Sequence, residues 1–324
     1  MNAPPAAPAK LVKADQPKMA LKDAYSQALV ELGRTNPKVV VLDADLALST
    51  KTKRFGTMYP DRFFEMGIAE LNLMGVAAGL AAAGKVVFAS TFAAFATGQP
   101  YNVIRQSIAY ANLNVKIVAT HSGISVGGDG ATHQMLEDMS LMRGLPNMRV
   151  FVPADGPQTS DIIRLIAESP GPCYVRLPRG DTPLLPEVYN TEIGKAITLR
   201  EGRDITLIGA GTMVYETMKA ADALVSEGYD PRVVLIHTLK PIDKDAILRA
   251  ARETKGIVTA EEHSVYGGLG SAVCEVVAEN HPCPVRRIGV RDTFGESGEE
   301  RALMEKYGLT WEHIAEAARD VLKG

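Results

Sequence analysis

A chain of 324 residues that is 46% hydrophobic and only 6% aromatic is long for one compact core, and its composition is that of a soluble α/β protein of two domains. A formal charge of -3 with pI ≈ 6.1 leaves no electrostatic footprint for nucleic acid or an anionic membrane, which turns attention to small-molecule chemistry. The cysteines Cys173, Cys274 and Cys283 have no CxxC spacing, exclude a disulfide framework and fit a reducing, cytoplasmic compartment.

Residues 1–17 open on a Pro/Ala-rich run without the charge and apolar core of a signal peptide, and read as a flexible tail. From Met19 to Leu32 the apolar residues Leu21, Tyr25, Ala28, Leu29 and Leu32 recur at helical steps, and Asn36-Pro37 ends that helix. Residues 38–42 form a β-branched run that closes on Asp43, Ala44 and Asp45, as a buried strand delivering polar groups to its C-terminal edge would. The alternation continues with a small-residue helix over 72–83, a strand over 86–90, a helix over 101–111 and a strand over 115–120. The stretch 68–97 is weakly polar, but Glu70, Asn72, Lys85 and its glycines make it an interior segment rather than a membrane span.

A glycine-rich loop then runs from His121 to His133, long enough to carry function. Beyond it the pattern predicts a helix over 136–143, a strand over 149–152, a helix over 156–167 and a strand over 173–176. The prolines of residues 178–186 mark a boundary, giving a first domain over 18–186 and a second over 187–324. In the second domain strands over 205–208, 232–236, 256–260 and 285–288 alternate with helices, and two further helices close the chain. Each domain is therefore expected to be a mostly parallel sheet flanked by helices.

Single motifs leave the chemistry open. Gly209-Ala-Gly211 follows a strand, but Val214 stands where a dinucleotide fingerprint needs its third glycine, so helix capping is the better reading. Glu70 suits either a first-turn helix position or a pocket carboxylate, and a buried carboxylate there needs a partner. His121 and His133 each suit an ordinary loop; sharing that loop with Asp129, they read as a polar pocket. No His-x-x-x-His or cysteine cluster predicts a metal site in this chain.

In order and spacing, EMGIAELNLM (65–74), STFAAF (90–95) and THSGISVGGDGATH (120–133) resemble the pyrimidine-binding domain of transketolases. LKPID (239–243), EEHSVYGGLG (261–270) and DTFGESG (292–298) resemble the C-terminal domain of the same family, so the likeness runs from about Lys18 to the end. It implies that Glu70 hydrogen-bonds N1′ of the aminopyrimidine of thiamine diphosphate and that Phe92 and Phe95 wall that ring. Asp45 and Ser49 match cofactor-side and sugar-phosphate contacts. His121, Asp129 and His133 match groups around the sugar hydroxyls and the reacting carbon, and Arg179 matches a phosphate-binding arginine. Lys18 lies near the position of another phosphate-binding arginine, a departure from the family pattern. Together these imply transfer of a two-carbon ketol unit between sugar phosphates, with histidines suited to proton transfer near neutral pH.

The resemblance also implies what is missing. In the family's diphosphate domain, Gly-Asp-Gly and a later Asn ligate the metal that bridges the diphosphate. Here Gly128-Asp129-Gly130 belongs to the substrate loop, and Asn147 follows too soon. The chain is thus expected to be the C-terminal subunit of a split transketolase, self-associating and pairing with an N-terminal subunit that binds Mg2+ or Ca2+, in an α2β2 assembly. The rival readings are the β subunit of the decarboxylating component of a 2-oxo acid dehydrogenase and a non-catalytic regulatory subunit.

Overall fold

The computed structural model describes residues 10–13, 15–186 and 190–323. The first half supplies strands β1 (Lys18–Ala20), β2 (Val39–Asp43), β3 (Phe63–Glu65), β4 (Val86–Phe92), β5 (Val115–Thr120), β6 (Arg149–Phe151), β7 (Cys173–Arg176) and β8 (Asp181–Pro183). The second half supplies β9 (Ile197–Arg200), β10 (Ile205–Gly209), β11 (Pro231–Leu235), β12 (Thr238–Lys240), β13 (Ile257–Ser264) and β14 (Val285–Val290).

Strands β2, β4 and β5 are buried at every position, as strands covered on both faces must be. Their side chains alternate between two cores with the period of a pleated strand. Val40, Leu42, Val87, Ala89, Ile117 and Ala119 meet Leu73, Met74 and Ala77 of the helix Glu70–Ala82. Val39, Val41, Phe88 and Val118 meet Leu21, Tyr25 and Leu29 of the helix Leu21–Thr35, with Ile162 and Ile166 of the helix Gly156–Glu168.

The seven-stranded sheet has the order β12-β6-β7-β5-β4-β2-β3 and the five-stranded sheet the order β14-β13-β10-β11-β9. Both are parallel except for one antiparallel edge strand each, β12 on β6 and β9 on β11. The expected class, two α/β domains with mostly parallel sheets, is the architecture found. One strand crosses between them: β12, from the second half of the chain, completes the edge of the first sheet. Three residues are too few for a periodic signal, and nothing in their sequence names the distant strand they pair with.

Other details differ from the sequence reading. The helix expected over 101–111 is an α-turn, Tyr101–Val103, running into a π-helix, Ile104–Tyr110. The proline-rich segment holds a strand, β8, paired antiparallel with β1. Of the expected tail 1–17, residues 1–9 and 14 lie outside the described residues, while the amides of Leu11 and Val12 donate to the Asp222 carboxylate at 2.9 and 3.0 Å. Among the described residues no helix is long and apolar enough to cross a membrane.

Candidate functional site

In an open parallel sheet, ligands collect where the strands end at their carboxyl edge. Strand order β7-β5-β4-β2-β3 places five chain-distant segments along that edge: Arg179 after β7, His121 after β5, Phe92 and Phe95 at β4, Asp45 and Ser49 after β2, and Glu70 beyond β3.

At the β2 end it is Asp43, fully buried, that builds the turn. Its carboxylate accepts from the Leu46 amide at 2.7 Å and from the Thr50 and Thr52 hydroxyls at 2.6 and 2.8 Å. Burial pushes this carboxyl up to about 6 against the pull of those hydrogen bonds. The turn sets Asp45 at φ 62° with its side chain exposed and Ser49 half-buried in the short helix Ala47–Thr50. The Asp45 amide in turn donates to Glu65 Oε1 at 2.6 Å, tying the β2 and β3 ends together.

Glu70 is the first residue of its helix and half-buried. It occupies the first helical turn, a position that leaves its carboxylate free to serve a pocket as well. A carboxylate there faces the helix N-terminus, where negative charge is favoured, while the apolar stripe Leu73, Met74, Ala77, Ala78 and Ala81 is buried behind it. Nearby Phe64, Ile68 and Leu71 are 37%, 82% and 44% exposed.

Four rings cluster at the β4 and β5 ends. Phe92 and Phe95 stack with centroids 5.9 Å apart and planes 19° from parallel. His121 stacks on Phe92 at 3.8 Å, and His133 stands edge-on to Phe95 at 5.2 Å. His121 adopts φ 56°, and its Nδ1 is 2.9 Å from Thr120 Oγ1. Burial, then the nearby charges of Lys22 and Arg179, hold its pKa down at about 4, below the near-neutral value expected from the sequence. Asp129 is exposed on the same loop.

Arg179 is exposed and donates to the Val126 carbonyl at 2.5 Å. Its charge is felt by half-buried Lys22, whose pKa is lowered by burial, by Lys51 and by Arg179. Sequence reading singled out Lys18, which lies on β1, exposed, beside a cavity of about 630 Å³ also lined by Asp23, Lys51, Lys53 and Arg54. Lys22 was missed because a lysine one residue into an amphipathic helix is an ordinary surface residue in a sequence. Among the described residues, no group of three or more His, Cys, Asp or Glu is placed to hold a metal. Asn147 is committed elsewhere, its side-chain amide donating to the Ala109 carbonyl at 3.0 Å.

Two α/β domains with mostly parallel sheets, one with polar and aromatic groups gathered at its carboxyl edge, define the class of open α/β proteins that hold a ligand at that edge. Residues 17–183 match the transketolase pyrimidine binding domain and residues 194–314 the transketolase C-terminal domain, so the chain belongs to the transketolase family. It is 46% identical over 307 residues to a putative transketolase C-terminal section of Methanocaldococcus jannaschii, covering 94% of this chain and 96% of that protein. It is 44% identical over 303 residues to the 6-deoxy-6-sulfo-D-fructose transketolase subunit of a Clostridium species, covering 93% and 94%. Against human transketolase the match is 36% over 313 residues, covering 94% of this chain and 49% of that protein. A solved structure described as a split gene transketolase, inactive β4 tetramer, is 51% identical, with a TM-score of 0.85 over 95% of this chain and 99% of that one.

Proposed function

We propose that this chain is the C-terminal subunit of a split transketolase, moving a two-carbon ketol unit from a ketose phosphate to an aldose phosphate together with an N-terminal subunit. The observation that carries the reading is the cluster of Phe92, Phe95, His121 and His133 on the same sheet edge as Glu70. Its division into a tail (1–17), a pyrimidine-binding domain (18–186) and a C-terminal domain (187–324) goes with it. The free cysteines Cys173, Cys274 and Cys283 support a reducing, cytoplasmic setting.

These residues fit one end of thiamine diphosphate. The stacked phenylalanines offer a flat wall for a heteroaromatic ring, and Glu70 is a half-buried carboxylate able to hydrogen-bond N1′. They do not fit the other end: the Gly128-Asp129-Gly130 segment is packed against Ser297 of the second domain, which supports assigning the metal and diphosphate to the partner. When bound, the cofactor supplies the electron sink for breaking and making the carbon–carbon bond.

The remaining roles are those of this chain's side chains. Glu70 holds a proton at N1′ of the pyrimidine. His121, neutral at pH 7, has Nδ1 engaged by Thr120, so a proton at a sugar hydroxyl or carbonyl passes through Nε2; His133 and Asp129 hold neighbouring hydroxyls. Asp45 and Ser49 bound the site on the β2 side. Arg179 and Lys22 together suit a phosphate, the guanidinium through its bidentate fork.

The exposed Phe64, Ile68 and Leu71 beside Glu70 support a protein partner over this face. We expect α2β2 with the partner. For the chain alone, the β4 tetramer of the relative supports a homo-oligomer without activity. The test is co-expression with the diphosphate-binding subunit, mass measurement and a ketol-transfer assay on a panel of sugar phosphates. Activity of an α2β2 complex supports the reading; transfer to a lipoyl group instead of an aldose sinks it.

A further inference from the structure

The 121–133 loop is held from behind by the second domain. Gly123, Gly127 and Gly130 have φ of 81°, 77° and 77°, a region open to glycine and costly for other residues. At Gly123 and Gly127 the second domain also leaves no room for a side chain or little, and at Gly130 it lies at ordinary contact distance. A Cβ would stand 2.2 Å from Glu262 Oε1 at Gly123, 3.3 Å from the Gly298 carbonyl at Gly127 and 3.5 Å from the Ser297 amide at Gly130. The glycine spacing therefore records close packing between domains as well as turn geometry.

The polar contacts follow the same line. Glu262 is 2% exposed; its Oε1 accepts from the Ser125 amide at 2.7 Å and its Oε2 from the Thr212 hydroxyl at 2.8 Å. Its backbone carbonyl accepts from Arg176 Nη2 at 2.8 Å. The Gln134 amide donates to the Ile124 and Glu296 carbonyls at 3.1 and 2.9 Å, and the Ser297 hydroxyl donates to the Gly128 carbonyl at 2.7 Å. The 3-10 turn Ile124–Asp129 is thus fixed by a carboxylate at its start and by the 292–298 segment at its end, with Asp129 and His133 carried on it.

We infer that Glu262 is a positioning residue: it sets the substrate-facing loop by receiving the Ser125 amide, and so makes the second domain part of how sugar phosphates are recognised. Removing a buried charged acceptor leaves the Ser125 amide without a partner, and the turn it anchors loosens. The consequence for sugars rests on the transketolase reading; the consequence for the loop does not.

Hydrogen exchange on the full chain, wild type against Glu262→Ala and Glu262→Gln, separates the two. Glu262→Ala is expected to speed exchange in peptides covering 122–130 by roughly ten-fold or more with β4 and β5 unchanged. Glu262→Gln restores protection, since its amide oxygen still accepts from Ser125. In the reconstituted pair, Glu262→Ala is expected to raise KM for sugar phosphates roughly ten-fold, with kcat within about three-fold and cofactor affinity retained. Unchanged exchange in 122–130, exchange rising across the whole second domain without rescue by Gln, or a loosened loop with unaltered KM would each overturn the inference. A loop loosened by Glu262→Ala, together with a wild-type pair that transfers no ketol unit, would keep the positioning role and overturn the enzyme reading. If Glu262→Ala does not fold, Thr212→Val, which deletes the hydroxyl that holds Glu262 Oε2, carries the same test.

Discussion

The imidazole of His121 lies face to face with the ring of Phe92, centroids 3.8 Å apart and planes 26° from parallel. Burial at that site favours the uncharged ring, and the cations Lys22 and Arg179 reinforce it, so the pKa falls to about 4. An unfolded chain titrates this histidine near the ordinary value of about 6.5. As pH falls from about 6.5 towards 4, the unfolded state takes up a proton that the native state refuses, and stability present above that window is progressively lost. His121→Phe is expected to lose less unfolding free energy between pH 7 and pH 5 than wild type, measured by urea titration. Other buried groups titrate alike in both proteins, so an equal loss would contradict the assignment.

Glu70→Gln is nearly isosteric at an exposed-edge helix start, and the fold is expected to survive with an unchanged circular dichroism spectrum. In the reconstituted enzyme, ketol transfer is expected to drop by roughly 10²–10⁴-fold, the range for removal of a positioned acid or base. Retained activity would assign the proton at N1′ to another group.

The two phenylalanines are expected to separate. Phe92 is buried at 8% exposure, and Phe92→Ala should cost about 3–5 kcal/mol of stability, as for other core aromatics. Phe95, half-buried at the helix Ala93–Thr97, should lose cofactor affinity with a smaller effect on stability. Denaturant midpoints and cofactor titration on both variants check this; equal stability losses would place Phe95 in the core.

Much of the first sheet was legible because buried parallel strands are near-continuous apolar runs: residues 39–42 form one, and 115–119 form another broken only by Lys116. The site was legible only as segments. That Arg179, His121, Phe92, Asp45 and Glu70 share one edge depends on the order β7-β5-β4-β2-β3, which no local pattern encodes. Asp43 was passed over for Asp45 because the buried carboxylate and the exposed one stand two residues apart in the same polar run. Glu262 was read as part of a motif without a partner, since its contact, Ser125, is 137 residues away.

A buried ion pair lies within the first domain, and its arginine also reaches the second through the Glu262 carbonyl. Arg176 Nε is 2.8 Å from Asp138, which also receives the Tyr174 hydroxyl at 2.6 Å. Asp138→Ala leaves a guanidinium buried without its counter-charge, a change expected to cost about 3–5 kcal/mol. Differential scanning calorimetry should show a large fall in Tm; a shift of a degree or two would mean that the pair is solvated.

Arg179→Ala is expected to raise KM roughly ten- to hundred-fold for phosphorylated sugars and little for unphosphorylated ones, since a bidentate charged contact to phosphate is lost. Lys22→Met should act in the same direction. Equal effects on both substrate classes would remove the phosphate role from this pair.

The central claim is that this chain holds one end of a cofactor whose other end is held by a second polypeptide. Calorimetric titration of thiamine diphosphate with Mg2+ tests it most directly, first into this chain alone and then into its mixture with the diphosphate-binding subunit. Weak binding by the lone chain and tight, metal-dependent binding by the mixture are expected. Tight, metal-dependent binding by the lone chain would contradict it.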